Sequence, residues 1–296
     1  MSITIKSALV ATLFASTAGT IHGLDLDDRL AYQYQTWTTS QQVRSASLWL
    51  PDYQVEQEAI VLQGVSDNLS GITYNPDTES LWVVINQPTQ LIELDAQLQP
   101  RRYIPLTNFH DTEAVAYAGD GRFVIADERI QSVVIARVDE NTLSLDKEQL
   151  PQLTLNTGGE NNKGLEGLAI NPSDNTIFAV RERDPMELFS ITGLLDRSDN
   201  IRIDNPLSES INSTYWNDLS GLHFDAQTGN FLILSDEAKL LSSMSLTGDT
   251  ISHMDLEAGF NGLTRDIPQA EGVTLDSHNN LYIVSEPNLI YRFKQR

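Results

Sequence analysis

Five positions carry an oxygen-bearing side chain just before a glycine or alanine and an aliphatic run: Ser70, Glu113, Glu166, Ser220 and Glu271. Their contexts are Leu69-Ser-Gly-Ile-Thr-Tyr, Thr112-Glu-Ala-Val-Ala-Tyr, Leu165-Glu-Gly-Leu-Ala-Ile, Leu219-Ser-Gly-Leu-His-Phe and Ala270-Glu-Gly-Val-Thr-Leu. If repeats carrying these positions surround one axis, three carboxylates and two hydroxyls converge on it. Carboxylates brought together repel, so either one holds a proton or all share a cation. Oxygen ligands suit Ca²⁺ or Mg²⁺, and a channel offering about six to eight oxygens at loosely set geometry suits Ca²⁺ better. A glutamate capping strand backbone is the structural alternative, and duplicated repeats inherit their residues together. His22, His110, His223, His253 and His278 share no metal-ligand spacing, which argues against zinc.

A second polar layer follows at Asn86, Asp127-Glu128, Arg181-Glu182, Asp236-Glu237 and Glu286. Asp127 and Glu128 are further metal candidates, while Ser70, Ser220, Asn86, Glu182, Asp236 and Glu286 are candidates to line the channel. The layer falls where a second strand ends, either at the opposite rim or in loops beside the first position. Arg129, Arg181 and Arg183 are placed to balance carboxylates or to meet an anionic ligand.

The elements that must position these residues are strands. Each first run is followed by a turn cluster such as Asn75-Pro-Asp-Thr-Glu-Ser or Asp225-Ala-Gln-Thr-Gly-Asn. Asn, Asp and Gly tolerate the positive φ of tight hairpins, and Pro presets φ at a turn position. A second run, Leu81-Trp-Val-Val-Ile in the first repeat and Leu281-Tyr-Ile-Val in the last, is β-branched and aromatic in character, and a third strand follows. From Ser70 onward the recurrent position steps by 43, 53, 54 and 51 residues. Such steps match propeller blades of roughly 40 to 50 residues. Fourth strands are expected at Arg102 to Leu106, Gln152 to Leu155, Ile201 to Ile203 and Ile251 to Leu256. The fifth repeat ends at Arg296 with three strands, and the run from Gln54 to Leu62 is left over before the first. The expected fold is therefore all-β, a five-bladed β-propeller whose ring is closed by an N-terminal strand completing the last blade. A β-sandwich also shows many short strands, but one motif at fixed spacing argues against it.

The chain of 296 residues is 40% hydrophobic and 20% charged, enough for a sizeable core. With 41 acidic against 19 basic residues its formal charge is −22, which repels nucleic-acid phosphates and favours cationic partners. It has no cysteine, so disulfides, zinc-thiolate sites and cysteine nucleophiles are excluded. Residues 1–23 read as a secretory signal: Lys6, an apolar run from Ala8 to Ala15, then Ser16-Thr-Ala. The expected location is the periplasm, with an uncleaved signal tethering the protein to the inner membrane as the alternative. Residues 24–52 read as a polar lead-in and 53–296 as the propeller, expected to be a monomer.

Asp111-Thr-Glu-Ala-Val-Ala-Tyr, Phe123-Val-Ile-Ala-Asp-Glu-Arg, Gly164-Leu-Glu-Gly-Leu-Ala-Ile, Asp218-Leu-Ser-Gly-Leu, Leu234-Ser-Asp-Glu, Ile267-Pro-Gln-Ala-Glu-Gly-Val and Ile283-Val-Ser-Glu-Pro-Asn resemble the SdiA-regulated (YjiK-like) bacterial family. The likeness runs from about Tyr53 to Arg296, and its last two runs are the most specific. It implies a five-bladed propeller distantly related to NHL-repeat proteins, a bound calcium ion and an N-terminal export or anchor segment. Carried over by residue, the metal falls to Glu113, Glu166 and Glu271, and less directly to Asp127 and Glu128. The family resemblance supplies no biochemical activity. Two functions follow as expectations. One is a calcium-binding module of the envelope for a small molecule or a protein. The other is a calcium-dependent hydrolase of a lactone, ester or phosphoester, in which Glu166 or Glu271 serves as general base. No G-x-S-x-G, H-E-x-x-H, P-loop or dinucleotide fingerprint is present, which favours the binding module.

Overall fold

A computed structural model describes residues 34, 37–155, 164–212 and 216–296. The expected signal segment, residues 1–23, lies outside the described residues, as does most of the lead-in up to 36. The chain divides into two compact units, Met1–Ala46 and Ser47–Arg296. In the first, α1 (Gln41–Ser45) is capped by Ser40, whose hydroxyl accepts from the Val43 N–H at 3.3 Å. The second unit carries the strands.

Its strands form five sheets, antiparallel apart from one short pair, each starting from an innermost strand. The first sheet holds β2 (Leu69–Asn75), β3 (Ser80–Asn86), β4 (Thr89–Leu94) and β5 (Pro100–Thr107). The second holds β6 (Thr112–Tyr117), β7 (Arg122–Asp127), β8 (Ser132–Arg137) and β10 (Gln152–Thr154). A short strand between these last two, β9 (Leu145–Asp146), crosses to pair in parallel with the edge of the first sheet, making it five-stranded. The third comprises β11 (Leu165–Asn171), β12 (Thr176–Arg181), β13 (Glu187–Thr192) and β14 (Arg202–Asp204). After α2 (Ser208–Asn212) comes the fourth, β15 (Gly221–Asp225), β16 (Asn230–Ser235), β17 (Leu240–Ser245) and β18 (Thr250–Asp255). The fifth is β19 (Ala270–Leu275), β20 (Leu281–Ser285) and β21 (Leu289–Gln295), with β1 (Tyr53–Val61) antiparallel on its outer edge. The fold is an all-β, five-bladed propeller.

The core lies between the blades. One apolar cluster fills the gap between the first and second blades, around Trp82, Phe123 and Val134. Others join the second to the third, the third to the fourth and the fourth to the fifth. The remaining cluster joins the fifth to the first, packing Tyr282, Val284 and Ile290 against Leu69, Val83 and Ile92. Middle strands such as β12 and β16 are buried along their whole length because each is sandwiched between two neighbouring blades. Leu48, Trp49, Leu50 and Pro51, at the end of the polar lead-in, are buried too, and Leu50 N–H donates to Ser252 Oγ at 3.2 Å.

Candidate metal centre on the propeller axis

The recurrent position is a β-bulge. Pairing of the first two strands slips between Leu69 and Gly71, Thr112 and Ala114, Leu165 and Gly167, and Ala270 and Gly272. The residue skipped each time is Ser70, Glu113, Glu166 or Glu271. A bulge leaves one residue outside the ladder and re-aims its side chain. In the fourth blade Ser220 precedes β15, and its N–H donates to Leu234 O at 2.9 Å. The small residue that follows is explained by crowding at the axis. A Cβ on Gly71 would stand 2.8 Å from Glu113 O, and one on Gly167 would stand 2.8 Å from Leu222 N. Both contacts are to the next blade's backbone, which cannot yield.

Glu113, Glu166 and Glu271 thus enter one neighbourhood, where their charges act on one another, and Ser70 joins it by a hydrogen bond to Glu113. Enclosure pushes the Glu271 carboxyl up to about 9, helped by Glu113, Glu286, Asp236 and Asp218. Glu166 is raised well above the usual range by burial and then by Glu113, Glu128, Glu271 and Glu182. Burial also pushes Glu113 up to about 7 against the opposing hydrogen bonds of Asn86 and Ser70. Each of these glutamates keeps a partly accessible edge, yet protein hems the carboxylates in, so bulk water solvates their charge poorly.

Among the described residues, Asp111, Glu113 and Glu128 form a group in which one carboxylate oxygen from each lies within 4.8 Å of the others. Glu128 N–H donates to Asp111 O at 2.8 Å, which ties the end of the second blade's second strand to the start of its first. Its Oε1 accepts the Gly164 N–H at 3.0 Å, reaching across to the third blade. Gly164 fits there because a Cβ would lie 2.3 Å from Glu128 Cγ. Asn86 Nδ2 donates to Glu113 Oε1 at 2.8 Å, and Arg129 pairs with Asp111 at 3.2 Å. Burial raises the Glu128 carboxyl, with Asp111 and Glu182 adding to the effect against the Gly164 N–H.

The second polar layer stands at the same rim as the bulges, because antiparallel pairing returns each second strand to the start of the first. Asn86, Glu128, Glu182 and Glu286 each follow the last residue paired there, and Asp236 comes two residues after Leu234. Glu182 and Glu237 share Arg183, while Asp236 Oδ1 accepts from Lys239 Nζ at 2.6 Å and from the Ala270 N–H at 2.8 Å. Glu286 Oε2 accepts from Gln269 Nε2 at 3.3 Å. Asp127 is turned away from this rim: it is fully buried, and its Oδ2 accepts from Lys147 Nζ at 2.7 Å and from the His110 N–H at 3.1 Å. Arg181 likewise pairs with Glu187 at 2.7 Å within its own blade.

The donor set fits a hard cation. Besides the carboxylates, Asn86 Oδ1 and Ser220 Oγ are buried atoms without a hydrogen-bond partner among the described residues. Buried acceptors left unpaired cost free energy that a bound cation would recover. The residue that sequence reading passed over as a ligand is Asp111. Its signal is the Asp111-Thr-Glu113 spacing, which sets two carboxylates two residues apart at a strand start.

Residues 45–294 match the family described as SdiA-regulated. The chain belongs to the SdiA-regulated family. Among solved structures it is similar to regucalcin from Agrobacterium tumefaciens, described as a calcium-binding protein, with a TM-score of 0.50 and 13% identity over 81% of this chain and 95% of that one. It is also similar to a gluconolactonase from Xanthomonas campestris, with a TM-score of 0.49 and 10% identity over 82% of this chain and 91% of that one. A streptogramin B lyase gives a TM-score of 0.49 and 11% identity over 84% of this chain and 100% of that one. At these identities the likeness concerns the fold alone.

Proposed function

We propose that this member of the SdiA-regulated family is an exported calcium-binding propeller that serves as a ligand- or protein-binding module of the bacterial envelope. The observation that carries the metal is the group of Asp111, Glu113 and Glu128 oxygens within 4.8 Å of one another. Asn86, on the adjoining first blade, supports it: its Nδ2 donates to Glu113 while its buried Oδ1 has no hydrogen-bond partner among the described residues. Calcium is the cation of choice because the donors are oxygens, carry several negative charges and come from separate loops and strands, a set that tolerates variable distances. Export is supported by the N-terminal pattern of Lys6, the apolar run and the small residues after it.

A calorimetric titration of calcium into chelator-treated protein tests the metal. Glu113→Gln and Glu128→Gln should each weaken binding by about tenfold or more, since each removes a charge-assisted ligand. Unchanged affinity in both variants would sink the site.

A second reading, hydrolysis of a lactone, ester or phosphoester, is favoured by Glu166 and Glu271. Burial and neighbouring carboxylates raise both, and Glu271, pushed up to about 9, stays protonated near neutrality without a metal, a state from which a carboxyl can donate a proton to a leaving group. Turnover of a lactone and phosphoester panel, with calcium and with chelator, decides between the two readings. Calcium-dependent turnover lost in Glu271→Gln establishes the hydrolase, and a flat panel favours the binding module.

A further inference from the structure

Beyond the acidic rim, each inner strand places an aliphatic residue two positions on: Ile72, Val115, Leu168, Leu222 and Val273. These five line the narrow space beside Glu166 and Glu271 and also the floor of a separate cavity of ≈ 390 Å³. They form an apolar waist on the axis, with the carboxylates on one side and the cavity on the other. The cavity's further wall comes from the far ends of the inner strands and their hairpins, including Tyr74, Tyr117, His223 and Phe224. It therefore opens at the face opposite the carboxylates.

We propose that this cavity is a second binding site, for a small uncharged ring compound bearing a hydroxyl group, anchored on His223. Nothing in this inference depends on the metal site.

The floor is aliphatic from all five blades, so a charge buried against it without a partner is strongly disfavoured. Asp77 and Asp120 stand in the wall with Arg122, whose guanidinium is already engaged by Ala118 O at 2.9 Å, Gly119 O at 3.2 Å and Asp120 at 3.9 Å, which disfavours anions. The polar groups nearest the floor are already engaged: Tyr117 O–H donates to Asp77 and accepts the Gly121 N–H, and Tyr74 pairs with Ser277 at 3.1 Å. His223 differs. Its Nδ1 meets Thr274 Oγ1 at 3.5 Å, and among the described residues its Nε2 makes no hydrogen bond.

Burial depresses the His223 imidazole to about 4, against the opposing pull of Asp225, so the ring is neutral at physiological pH. A neutral imidazole presents either a donor or an acceptor at Nε2, according to its tautomer. A hydroxyl matches both, whereas an anion needs the donor and a cation the acceptor. Tyr117 and Phe224 add aromatic surface for the face of a ring. A cavity of this size lies within the range of about 300–1,000 Å³ that encloses small ligands.

Phenol is the probe, with benzene lacking the hydroxyl and benzoate carrying a charge. Binding is followed by calorimetry and by chemical-shift changes of the Ile, Val and Leu methyl groups at the waist. Phenol should bind in both calcium-free and calcium-loaded protein, and benzene and benzoate at least about fivefold more weakly, the loss of one hydrogen bond. His223→Phe should weaken phenol by a similar factor. Ala226→Trp tests the same cavity without disturbing the core: Ala226 is exposed and lines the mouth, so a bulky side chain there blocks entry. Phenol binding abolished by Ala226→Trp and weakened by His223→Phe upholds the site. Phenol that fails to bind, or that binds unchanged to Ala226→Trp, overturns it.

Discussion

Glu113, Glu166 and Glu271 set the terms on which the axial site can be charged. Glu113 and Glu271 are pushed up to about 7 and about 9 from an ordinary value of 4.5, chiefly by burial. In calcium-free protein the folded state therefore holds protons that the unfolded chain releases. Stability contributed this way is complete below about pH 4.5 and is lost as pH rises through the two folded values. Thermal denaturation of chelated protein should show the melting temperature falling between pH 5 and pH 9. Calcium should flatten that fall, because a cation that binds only the folded state offsets the repulsion. A chelated protein that gains stability across this window would mean that the carboxylates are not crowded. At this scale the sequence was informative about residue type and less so about direction. Asp127 and Glu128 are adjacent in the chain, yet one side chain turns to Lys147 and the other to Gly164 and the carboxylate group. Only the end of the strand and the turn after it decide which is which.

The element that matters most is the bulge at the start of four of the five inner strands. It explains why a glutamate or serine is followed by a glycine or alanine: the first side chain is released from the ladder, and the second must pass the next blade's backbone. The spacing of that pair was legible in the sequence, as were the fourth strands. The parallel pairing of β9 with β5 was not, because two residues, Leu145 and Asp146, carry no periodicity. The same connection supplies Lys147, whose ammonium lies buried between Asp127 and Ser132 at 2.7 and 2.8 Å, with Phe109 beneath it. Lys147→Met would leave the Asp127 charge buried and unpaired, at a cost of about 3–5 kcal/mol. Urea denaturation should show that loss, and Asp127→Asn combined with Lys147→Met should recover most of it. A single variant as stable as the parent would show that the pair contributes nothing to holding β7 beside the carboxylate group.

For the molecule as a whole, five blades share five interblade cores, and the outer edge of the last blade is made by residues far away in sequence. Tyr53 pairs with Gln295, is fully buried, and donates its hydroxyl hydrogen to Asn279 O at 3.0 Å. Tyr53→Ala removes a large side chain from the cluster between the fourth and fifth blades and should cost about 3–5 kcal/mol in chemical denaturation. A cost below about 1 kcal/mol would mean that the strand adds little to the sheet. The ring was readable from the repeat, since one motif recurring at similar steps implies similar units around an axis. Sequence periodicity did not reveal what lies along that axis. The waist of Ile72, Val115, Leu168, Leu222 and Val273 reads in each strand as ordinary core, and only the assembled ring shows it dividing carboxylates from the opposite cavity. Calcium-soaked crystals, measured for anomalous scattering, address the central claim most directly. The expected result is one anomalous peak on the carboxylate side of the waist, within coordination distance of Asp111, Glu113 and Glu128 and absent from Glu113→Gln crystals. No peak at saturating calcium, or a peak that stays at full height in that variant, would contradict a cation held by this ring of acids.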